Sequence, residues 1–558
     1  MSFYQEPPRL DNQFQSDRLL RNWLLWRLPK DVTDASWSRL DRLGRRAVED
    51  LLNLGRDAEA HPPRHVPYDA WGRRIDEIEV HDAWKRLEAV SAEEGLVAAG
   101  YQRAYGSFSR AEQFARLYLF APSSAIFTCP LAMTDGAARA LELYGDEALK
   151  SRALVHLTSR DPATFWTSGQ WMTERSGGSD VSGTETTARR EGDHWVLRGS
   201  KYFTSATTSH MAMTLARIEG AEPGSRGLSL FYLELRDERG RLNNIRINRL
   251  KDKLGTRALP TAELELEGTR ARLVGGEGHG VRKIASLFNI TRIYNAMSAV
   301  AGMRRGIALA RDYAHRRAAF GKRLAEHPLH LETLANLELE FQAAFHLLFH
   351  ETLLLGRDEC GEADSREKAL LRLLTPVVKL YTARQGIAVA SEVLECFGGA
   401  GYVEDTGLPQ LLRDAQVLSI WEGTTNVLSL DVLRALDKER AFGPLIEDIE
   451  ARLKGVTLPV LEGSVQRVRE GRGRLERFMD EVPAHARDAM EASARALAYS
   501  IARVYAGALL LEYAQHRAKS GDDRSIEAAR RWCARELTPL FNAGPSHRDA
   551  SRAMALDP

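Results

Sequence analysis

The sequence predicts an α+β fold in which a middle β-domain follows one helical region and precedes another. Apolar residues recur at helical spacing from about residue 15 to 165, and again in long segments such as 294–317 and 329–355. From about 166 to 275 the pattern changes to the apolar–polar alternation of strands. The order helix, strand, helix is typical of an α+β enzyme whose site lies where the layers meet.

The first helical region contains two amphipathic segments, RRAVEDLLNLGR at 45–56 and AEQFARLYLF at 111–120. A Pro-rich connector at 61–63 interrupts the region. We therefore predict mostly helical structure here, divided into an N-terminal extension over 1–75 and a helical N-domain over 76–165.

The middle region holds three alternating segments that predict strands, at 194–198, 227–235 and 262–266. Turn-forming clusters, such as EGD at 191–193, separate them. We predict a small antiparallel β-domain or barrel over 166–280.

Helical periodicity returns over 281–436 and predicts a C-terminal helical domain. Residues 437–558 are again helical in pattern and rich in Ala, Arg, Glu and Leu. They predict an additional helical domain.

Composition indicates a soluble globular enzyme. The chain has 558 residues, of which 44% are hydrophobic and 27% charged, with a net charge of +1. We expect about two to four structural units and no overall attraction to nucleic acid or anionic membranes. Four widely separated cysteines predict neither a disulfide framework nor a metal site, and fit a reducing cytoplasm. We also expect no signal peptide and no membrane span, because no apolar run reaches about 18 residues.

Two segments of the middle region carry candidate binding residues. In WMTERSGGSDV, at 171–181, hydroxyl side chains flank two glycines, which would let the backbone approach a flat or phosphorylated ligand. An ordinary turn is the alternative. In GSKYFTS, at 199–205, Phe203 could lie against a ring while Ser205, on the same strand face, donates to a ring nitrogen. A buried Phe and a surface Ser are the alternative.

Three further segments lie in the second helical region. RRAAFG, at 316–321, ends a long helix with arginines that either bind phosphate or cap the helix. ECFGGAGY, at 395–402, is a glycine-rich break of the kind that usually caps a helix. In SIWEGTTN, at 419–426, Glu422 lies beside Trp421, where a desolvated carboxylate would be a useful base. An exposed loop Glu is the alternative.

In this order, the five motifs resemble the acyl-CoA dehydrogenase family across roughly residues 90–436. The most similar pattern is that of the AidB-like, alkylation-response branch, which has residues like those at 62–84 and like RLKDKLGTRALP at 249–260. That branch also has Trp at the position of Trp421 and an extra C-terminal domain like 437–558. The resemblance implies a helical N-domain, a middle antiparallel β-barrel, a C-terminal four-helix bundle and an additional helical domain.

The resemblance implies an FAD-binding oxidoreductase. Met172 and Thr173 would contact the pyrimidine edge of the isoalloxazine, and Ser179 the pyrophosphate. Phe203 would pack on the flavin, and Ser205 would reach toward N5. The same match implies further cofactor-binding positions at Gly178, Thr204, Trp421, Gly423, Thr424 and Asn426.

Other implied contacts come from a neighbouring subunit. Arg317 and Phe320 would bind the pyrophosphate and adenine end of FAD, and Gly398 and Gly399 would pass close to the adenosine. Sharing FAD in this way requires at least a dimer, and a homotetramer is common in the family.

The implied reaction belongs to fatty acid metabolism. It removes a proton from Cα of an acyl-CoA thioester and a hydride from Cβ, which leaves a trans-2-enoyl-CoA. Glu422 would be the base. Arg292 would lie near bound CoA, with a helix-surface Arg as the equal alternative. Electrons would then pass to an acceptor such as an electron-transfer flavoprotein.

Two alternatives arise from the same resemblance. The AidB-like branch has a proposed DNA-sheltering role with little dehydrogenase turnover, yet residues 438–558 hold 20 Lys plus Arg against 18 Asp plus Glu. The arginines between 467 and 477 have acidic residues among them, so an ion-paired surface is the favoured interpretation. A nitroalkane-oxidising flavoenzyme is disfavoured, because those relatives replace the base Glu with Asp.

Overall fold

The structure is a computed structural model that describes residues 5–481, 487–541 and 543–556. The chain divides into two compact units. The barrel unit comprises Asp11–Tyr105 and Glu112–Tyr294, and the bundle unit comprises Met1–Leu10, Gly106–Ala111 and Asn295–Pro558. The domain boundaries given above stay predictions.

Helices dominate the chain before the barrel, as the periodicity predicts. They are α1 (Arg18–Arg27), α2 (Lys30–Arg46), α3 (Asp50–Ala60), α4 (Asp82–Glu93), α5 (Ala98–Gln102), α6 (Ser109–Phe120), α7 (Thr128–Tyr144), α8 (Glu147–Leu149) and α9 (Val155–Leu157). A hairpin that the helical interpretation missed, β1 (Arg64–Tyr68) with β2 (Arg74–Glu79), lies between α3 and α4.

The hairpin forms because its strands find partners elsewhere in the barrel unit. Asp76 is buried, and its carboxylate accepts hydrogen bonds from His65 at 2.9 Å and from the amide of Ile247 at 3.2 Å. Arg74 donates to the carbonyl of Ile247 at 2.7 Å. The two contacts with Ile247 join residues more than 170 positions apart in sequence, so local periodicity carries no signal for them.

The seven strands of the barrel are β3 (Ser168–Trp171), β4 (Thr187–Glu191), β5 (His194–Ser205), β6 (Met211–Ile218), β7 (Leu228–Glu234), β8 (Ile245–Leu250) and β9 (Thr261–Val274). Strands β6, β4, β5, β9 and β7 pair in that order, and β7 pairs back with β6, so the sheet closes. The pairings are antiparallel except for two parallel ones, β3 with β6 and β4 with β6. The predicted middle β-barrel is confirmed.

Alternation along β6 shows how the barrel is packed. Met213 and Leu215 are buried in a cluster that includes Leu141 of α7. Ala212 lies in a second cluster with Phe231. Side chains on opposite faces of one strand thus fill two separate cores, as a period of two requires.

The bundle unit is built on four long helices, with a short α13 (Leu408–Leu418) between the last two. These four are α10 (Gly280–Arg316), which begins in the barrel unit, then α11 (Pro328–Glu359), α12 (Ser365–Cys396) and α14 (Thr425–Lys438). Strands β10 (Ala318–Ala319) and β11 (Lys322–Arg323) form a hairpin after α10. This arrangement matches the predicted C-terminal helical domain.

The additional helical domain contains α15 (Phe442–Lys454), α16 (Glu462–Glu481), α17 (Arg487–Ala518), α18 (Asp523–Cys533) and α19 (Pro545–Leu556). Among the described residues, α17 alone is long and apolar enough to cross a membrane, and 78% of its apolar window is buried inside the protein. Helix α17 packs against α11, α12 and α14, which makes it a core helix of this unit.

Candidate functional site

The glycine-rich loop after β3 is a tight turn. The amide of Glu174 donates to the carbonyl of Gly177 at 3.0 Å, and the amide of Gly177 donates back at 3.2 Å. A Cβ on Gly178 would lie 2.9 Å from the hydroxyl oxygen of Thr173, so a side chain there would collide. Met172 is buried in the cluster that includes Leu141 of α7, whereas Ser179 is part of the accessible surface of the loop.

A buried ion pair stabilises this loop. Glu174 and Lys201 are separated by 2.7 Å between Oε1 and Nζ, and both side chains are almost fully buried. The Glu174 carboxylate also accepts from the amide of Glu185 at 2.7 Å and from the hydroxyl of Thr186. The sequence motifs contained both charges but did not show that they pair.

Strand β5 bulges next to the predicted aromatic residue. Lys201 pairs with Leu264 and Thr204 with Ala262, so β5 has one more residue than β9 across this interval. Phe203, in the bulge, is 53% exposed, and it is neither the buried Phe of the alternative interpretation nor fully exposed.

The two residues that follow Phe203 on β5, Thr204 and Ser205, differ in the direction of their side chains. Thr204 is buried and donates to the carbonyl of Ala262 at 2.8 Å, and the hydroxyl of Ser205 lies 3.1 Å from that of Thr261. The ammonium group of Lys251 lies 4.3 Å from the centre of the Phe203 ring. Thr204 therefore faces into the barrel while Phe203 and Ser205 face outward, as the predicted alternation requires.

The hairpin after α10 presents an aromatic residue at its tip. Phe320 and Gly321 occupy the two central positions of the turn, with φ of +50° and +81°. Phe320 is 96% exposed. Arg316 is engaged with Asp312, through a 2.8 Å ion pair, while Arg317 is half-buried where the hairpin begins.

The glycine-rich segment after α12 forms a 3₁₀ turn, Gly398–Tyr402. Gly398 has φ of +58°, and a Cβ on either Gly398 or Gly399 would meet no atom within 4 Å. Gly401 differs, because its Cβ would lie 2.0 Å from the carbonyl oxygen of Leu394. The first two glycines therefore leave open backbone, and the third permits close packing. Tyr402, which the sequence reasoning did not single out, is 91% exposed.

Glu422 lies on a left-handed bend between α13 and α14. Its φ is +57°, and that of Gly423 is +103°. The indole N–H of Trp421 donates to the side-chain carbonyl of Asn295 on α10. Thr424 caps α14 by accepting from the amide of Val427 at 3.5 Å. Glu422 is half-buried.

Lys379 is a residue of this site that the sequence reasoning missed. It is 1% exposed in the interior of α12. Its ammonium group donates to the carbonyl oxygens of Trp421 and Gly423, each at 2.7 Å. The only sequence signal is a lysine within the apolar run TPVVKLY.

The predicted site residues thus occupy two sets of positions, one in each compact unit. The barrel unit holds Met172, Thr173, Gly178, Ser179, Phe203, Thr204, Ser205 and a half-buried Arg292. The bundle unit holds Arg317, Phe320, Gly398, Gly399, Trp421, Glu422, Gly423, Thr424 and Asn426. Within the second set, residues 421–426 form one continuous bend and helix start. The roles given to these residues stay predictions.

Four family models match successive segments that together cover most of the chain. They are the adaptive response protein AidB N-terminal domain over 5–161, the acyl-CoA dehydrogenase middle domain over 169–269, the acyl-CoA dehydrogenase C-terminal domain over 278–436, and the acyl-CoA dehydrogenase 11 C-terminal domain-like model over 441–557. The resemblance stated from the motifs, including its AidB-like branch, is confirmed.

Two curated relatives are similar to this chain over most of its length. Acyl-CoA dehydrogenase family member 11 of Caenorhabditis elegans is 44% identical over 97% of this chain and 90% of its own length. Putative acyl-CoA dehydrogenase AidB of Escherichia coli is 34% identical over 73% of this chain and 75% of its own length. A crystal structure of C. elegans ACDH-11 in complex with C11-CoA is 42% identical, with a TM-score of 0.96, over 100% of this chain and 97% of that one.

Proposed function

This chain belongs to the acyl-CoA dehydrogenase family, and on that premise we propose that it binds FAD and dehydrogenates an acyl-CoA thioester with Glu422 as base. The observation that carries the proposal is the bend at Glu422. A non-glycine residue in the left-handed region is uncommon and is retained where the surrounding structure fixes it, often at functional sites. Here a carboxylate is held on such a bend by contacts on both sides.

An acyl-CoA is the substrate class that the comparisons favour. The similar C. elegans structure contains C11-CoA, and its similarity extends over the whole of this chain. We propose the same class here, with dehydrogenation across Cα and Cβ to the trans-2-enoyl-CoA. Arg292, half-buried on α10, is the residue we propose to lie near the CoA moiety.

The residues present fit FAD. An accessible Ser179 on a glycine turn supplies hydroxyl and backbone donors of the kind that bind phosphate oxygens. Gly398 and Gly399 leave open backbone that a nucleoside could approach. When bound, FAD supplies the hydride acceptor of the reaction.

Glu422 performs the proton chemistry in this proposal. Its carboxylate takes the proton from Cα, a weak acid that becomes more acidic when the thioester carbonyl is polarised. We propose the backbone N–H of Glu422 as the protein's donor to that carbonyl. The half-buried position of Glu422 limits its hydration before the substrate arrives, and substrate binding would complete the exclusion of water.

Association of subunits completes the proposal. Phe320 and Tyr402 are the most exposed aromatic side chains of the bundle unit among the described residues, at 96% and 91%. Both lie in segments for which contact with FAD across a subunit boundary is expected, next to Arg317 and Gly398. We propose a dimer as the minimal functional form, a tetramer as its assembly, and an electron-transfer flavoprotein as electron acceptor.

DNA sheltering is the second candidate function, and the charge arrangement disfavours it. Arg469 and Arg472 of α16 both pair with Glu450 of α15, at 3.2 and 2.6 Å. Arg474 donates to the hydroxyl of Thr538 at 3.3 Å. Paired arginines contribute less to the phosphate neutralisation on which sequence-independent DNA binding depends.

Anaerobic flavin reduction tests the proposed function. Purified protein reconstituted with FAD is mixed with straight and branched acyl-CoAs, with free CoA as control and dithionite to define full reduction. We expect bleaching of the flavin band with at least one acyl-CoA and none with free CoA. Reduction by a nitroalkane but by no acyl-CoA would overturn the proposal in favour of the oxidase alternative. A protein that gains no flavin absorbance after FAD addition would overturn it entirely.

A further inference from the structure

Lys379 places a buried positive charge against the backbone on both sides of Glu422. The residue lies in the interior of α12 and is 1% exposed. Its ammonium group donates to the carbonyls of Trp421 and Gly423 at 2.7 Å each. Hydrogen bonds from a charged donor are stronger than neutral ones, and these two bracket a single residue.

Glu422 has a backbone conformation that a residue with a Cβ rarely adopts. Glu422 carries a Cβ, yet its φ is +57°. Such residues persist only where the surrounding structure over-determines them. The Trp421 carbonyl belongs to the peptide plane before Glu422, and the Gly423 carbonyl to the plane after Gly423, so the two bonds fix both ends of the two-residue segment in which φ is positive.

Two other contacts restrict the same bend, and each acts on one neighbour of Glu422. The indole of Trp421 is held by Asn295, whose amide donates to the carbonyl of Leu418 at 3.0 Å. Gly423 is packed so closely that a Cβ would lie 2.9 Å from Leu428. Among these contacts, the ammonium of Lys379 is the one that joins both sides of Glu422.

We propose that Lys379 is a positioning residue for the base: by holding the carbonyls of Trp421 and Gly423, it keeps Glu422 in the left-handed conformation that sets the direction of its carboxylate. The inference rests on the proposed role of Glu422. A purely structural Lys379 would lower the stability of the whole unit when replaced and would leave the bend unchanged in the folded protein.

Hydrogen exchange tests the conformational part without requiring any substrate. Lys379→Met keeps the length of the side chain and removes the ammonium group. Thr375→Val is the matched control, because Thr375 is 2% exposed, lies on the same helix and donates to the carbonyl of Leu371 at 2.9 Å. We expect amides of residues 420–424 to exchange roughly tenfold faster in Lys379→Met than in wild type or control. Equal protection in all three proteins would overturn the proposal.

Flavin reduction tests the functional part. In Lys379→Met we expect about 10- to 100-fold slower reduction by an acyl-CoA, with the affinities for FAD and acyl-CoA retained. Adding Lys379→Met to Glu422→Gln should cause little further loss, because Lys379 acts through Glu422.

Reduction of Lys379→Met at the wild-type rate would overturn the inference. Failure of the wild type to be reduced by any acyl-CoA would overturn the proposed function, and the exchange result would still decide whether Lys379 fixes the bend. If Lys379→Met does not fold, Lys379→Gln, which retains a donor, replaces it, and a smaller change in both measurements is expected.

Discussion

Glu174 and Lys201 form an ion pair inside the barrel unit, with 2.7 Å between Oε1 and Nζ and side chains that are 5% and 0% exposed. The same carboxylate accepts from the amide of Glu185 at 2.7 Å, so one side chain joins both ends of the loop 174–185. Removal of one partner from such a buried pair leaves an uncompensated charge and costs about 3–5 kcal/mol. The loop proposed to contact FAD is therefore fixed by charge as well as by its glycines.

Acid should weaken this loop through Glu174. Burial alone would raise the pKa of Glu174, but Lys201 and the hydrogen bonds from Thr186 and Glu185 lower it overall. A lowered carboxylate pKa contributes stability above the unfolded value of about 4.3, and that stability is lost as pH falls through the folded pKa. Thermal melts should show a steeper acid loss of Tm in wild type than in Glu174→Gln, with exposed Glu185→Gln behaving as wild type. Parallel curves for wild type and Glu174→Gln would contradict this.

Glu88 should have the opposite pH dependence. Burial raises the pKa of this half-buried α4 carboxyl to about 7. A raised carboxyl pKa means that the folded state binds more protons than the unfolded one, so the stability falls as pH rises from about 4.5 to 7. We expect Glu88→Gln to raise Tm at pH 8 and to leave it nearly unchanged at pH 4. A variant that melts at the wild-type temperature at both pH values would show that Glu88 is well hydrated.

Replacement of Glu422 by Gln keeps the size of the side chain and removes the proton acceptor. We expect retained binding of FAD and acyl-CoA, with flavin reduction slower by about 10² to 10⁴, measured by anaerobic stopped-flow mixing. If Glu422 only stabilises the bend, the variant will lose FAD or melt earlier while its remaining holoenzyme is reduced normally. Wild-type reduction in the Glu422→Gln holoenzyme would show that the base lies elsewhere.

Phe320 and Arg317, on the hairpin after α10, should affect both the association of subunits and the binding of FAD. We expect Phe320→Ala and Arg317→Ala to retain less FAD through gel filtration and to shift sedimentation toward smaller species. Lys322→Ala, an exposed change on the same hairpin, is the control and should do neither. A monomer that binds FAD as tightly as the assembled protein would contradict a shared site.

DNA binding should be weak and sensitive to salt. Glu450 pairs with two of the five arginines on α16, Arg469 and Arg472, and acidic residues of the helix lie among the other three, so the positive charge available to phosphates is reduced. We expect duplex affinity to vanish between about 50 and 200 mM salt in a fluorescence titration. Tight binding that persists at the higher concentration would favour the DNA-sheltering function.

The sequence predicted the features that depend on local pattern. Alternation predicted the barrel strands, and glycines marked the positions where the backbone turns sharply or is approached closely, as at Gly178 and Gly398. The order of motifs then identified the family, which no single motif could do. Glu422 was singled out as a carboxylate next to a glycine on a predicted bend; the structure places it on such a bend, and its role as base stays a prediction.

Local sequence patterns could not predict contacts between segments that are far apart in the chain. Lys379 and Gly423 are 44 residues apart, and one lysine in an apolar helix has no pattern that reveals its acceptors. The β1–β2 hairpin was missed for a related reason, because Asp76 and Arg74 obtain their partners at Ile247 on β8. The bulge at Phe203 likewise depends on the register with β9, which is set by tertiary pairing.

The additional helical domain packs against α11 of the same chain and so covers one side of the bundle. Tyr513 of α17 lies 4.6 Å from His346 of α11, between ring centres, and Arg535 pairs with Glu340 of α11 at 2.6 Å. A covalently linked cover acts at an effective concentration of the order of millimolar, whatever the dilution of the protein. The apolar side of α11 is therefore occupied before any second copy is encountered. In the proposed dimer, the subunits would recognise one another through other surfaces, so dimer formation would depend on protein concentration while burial of this side does not.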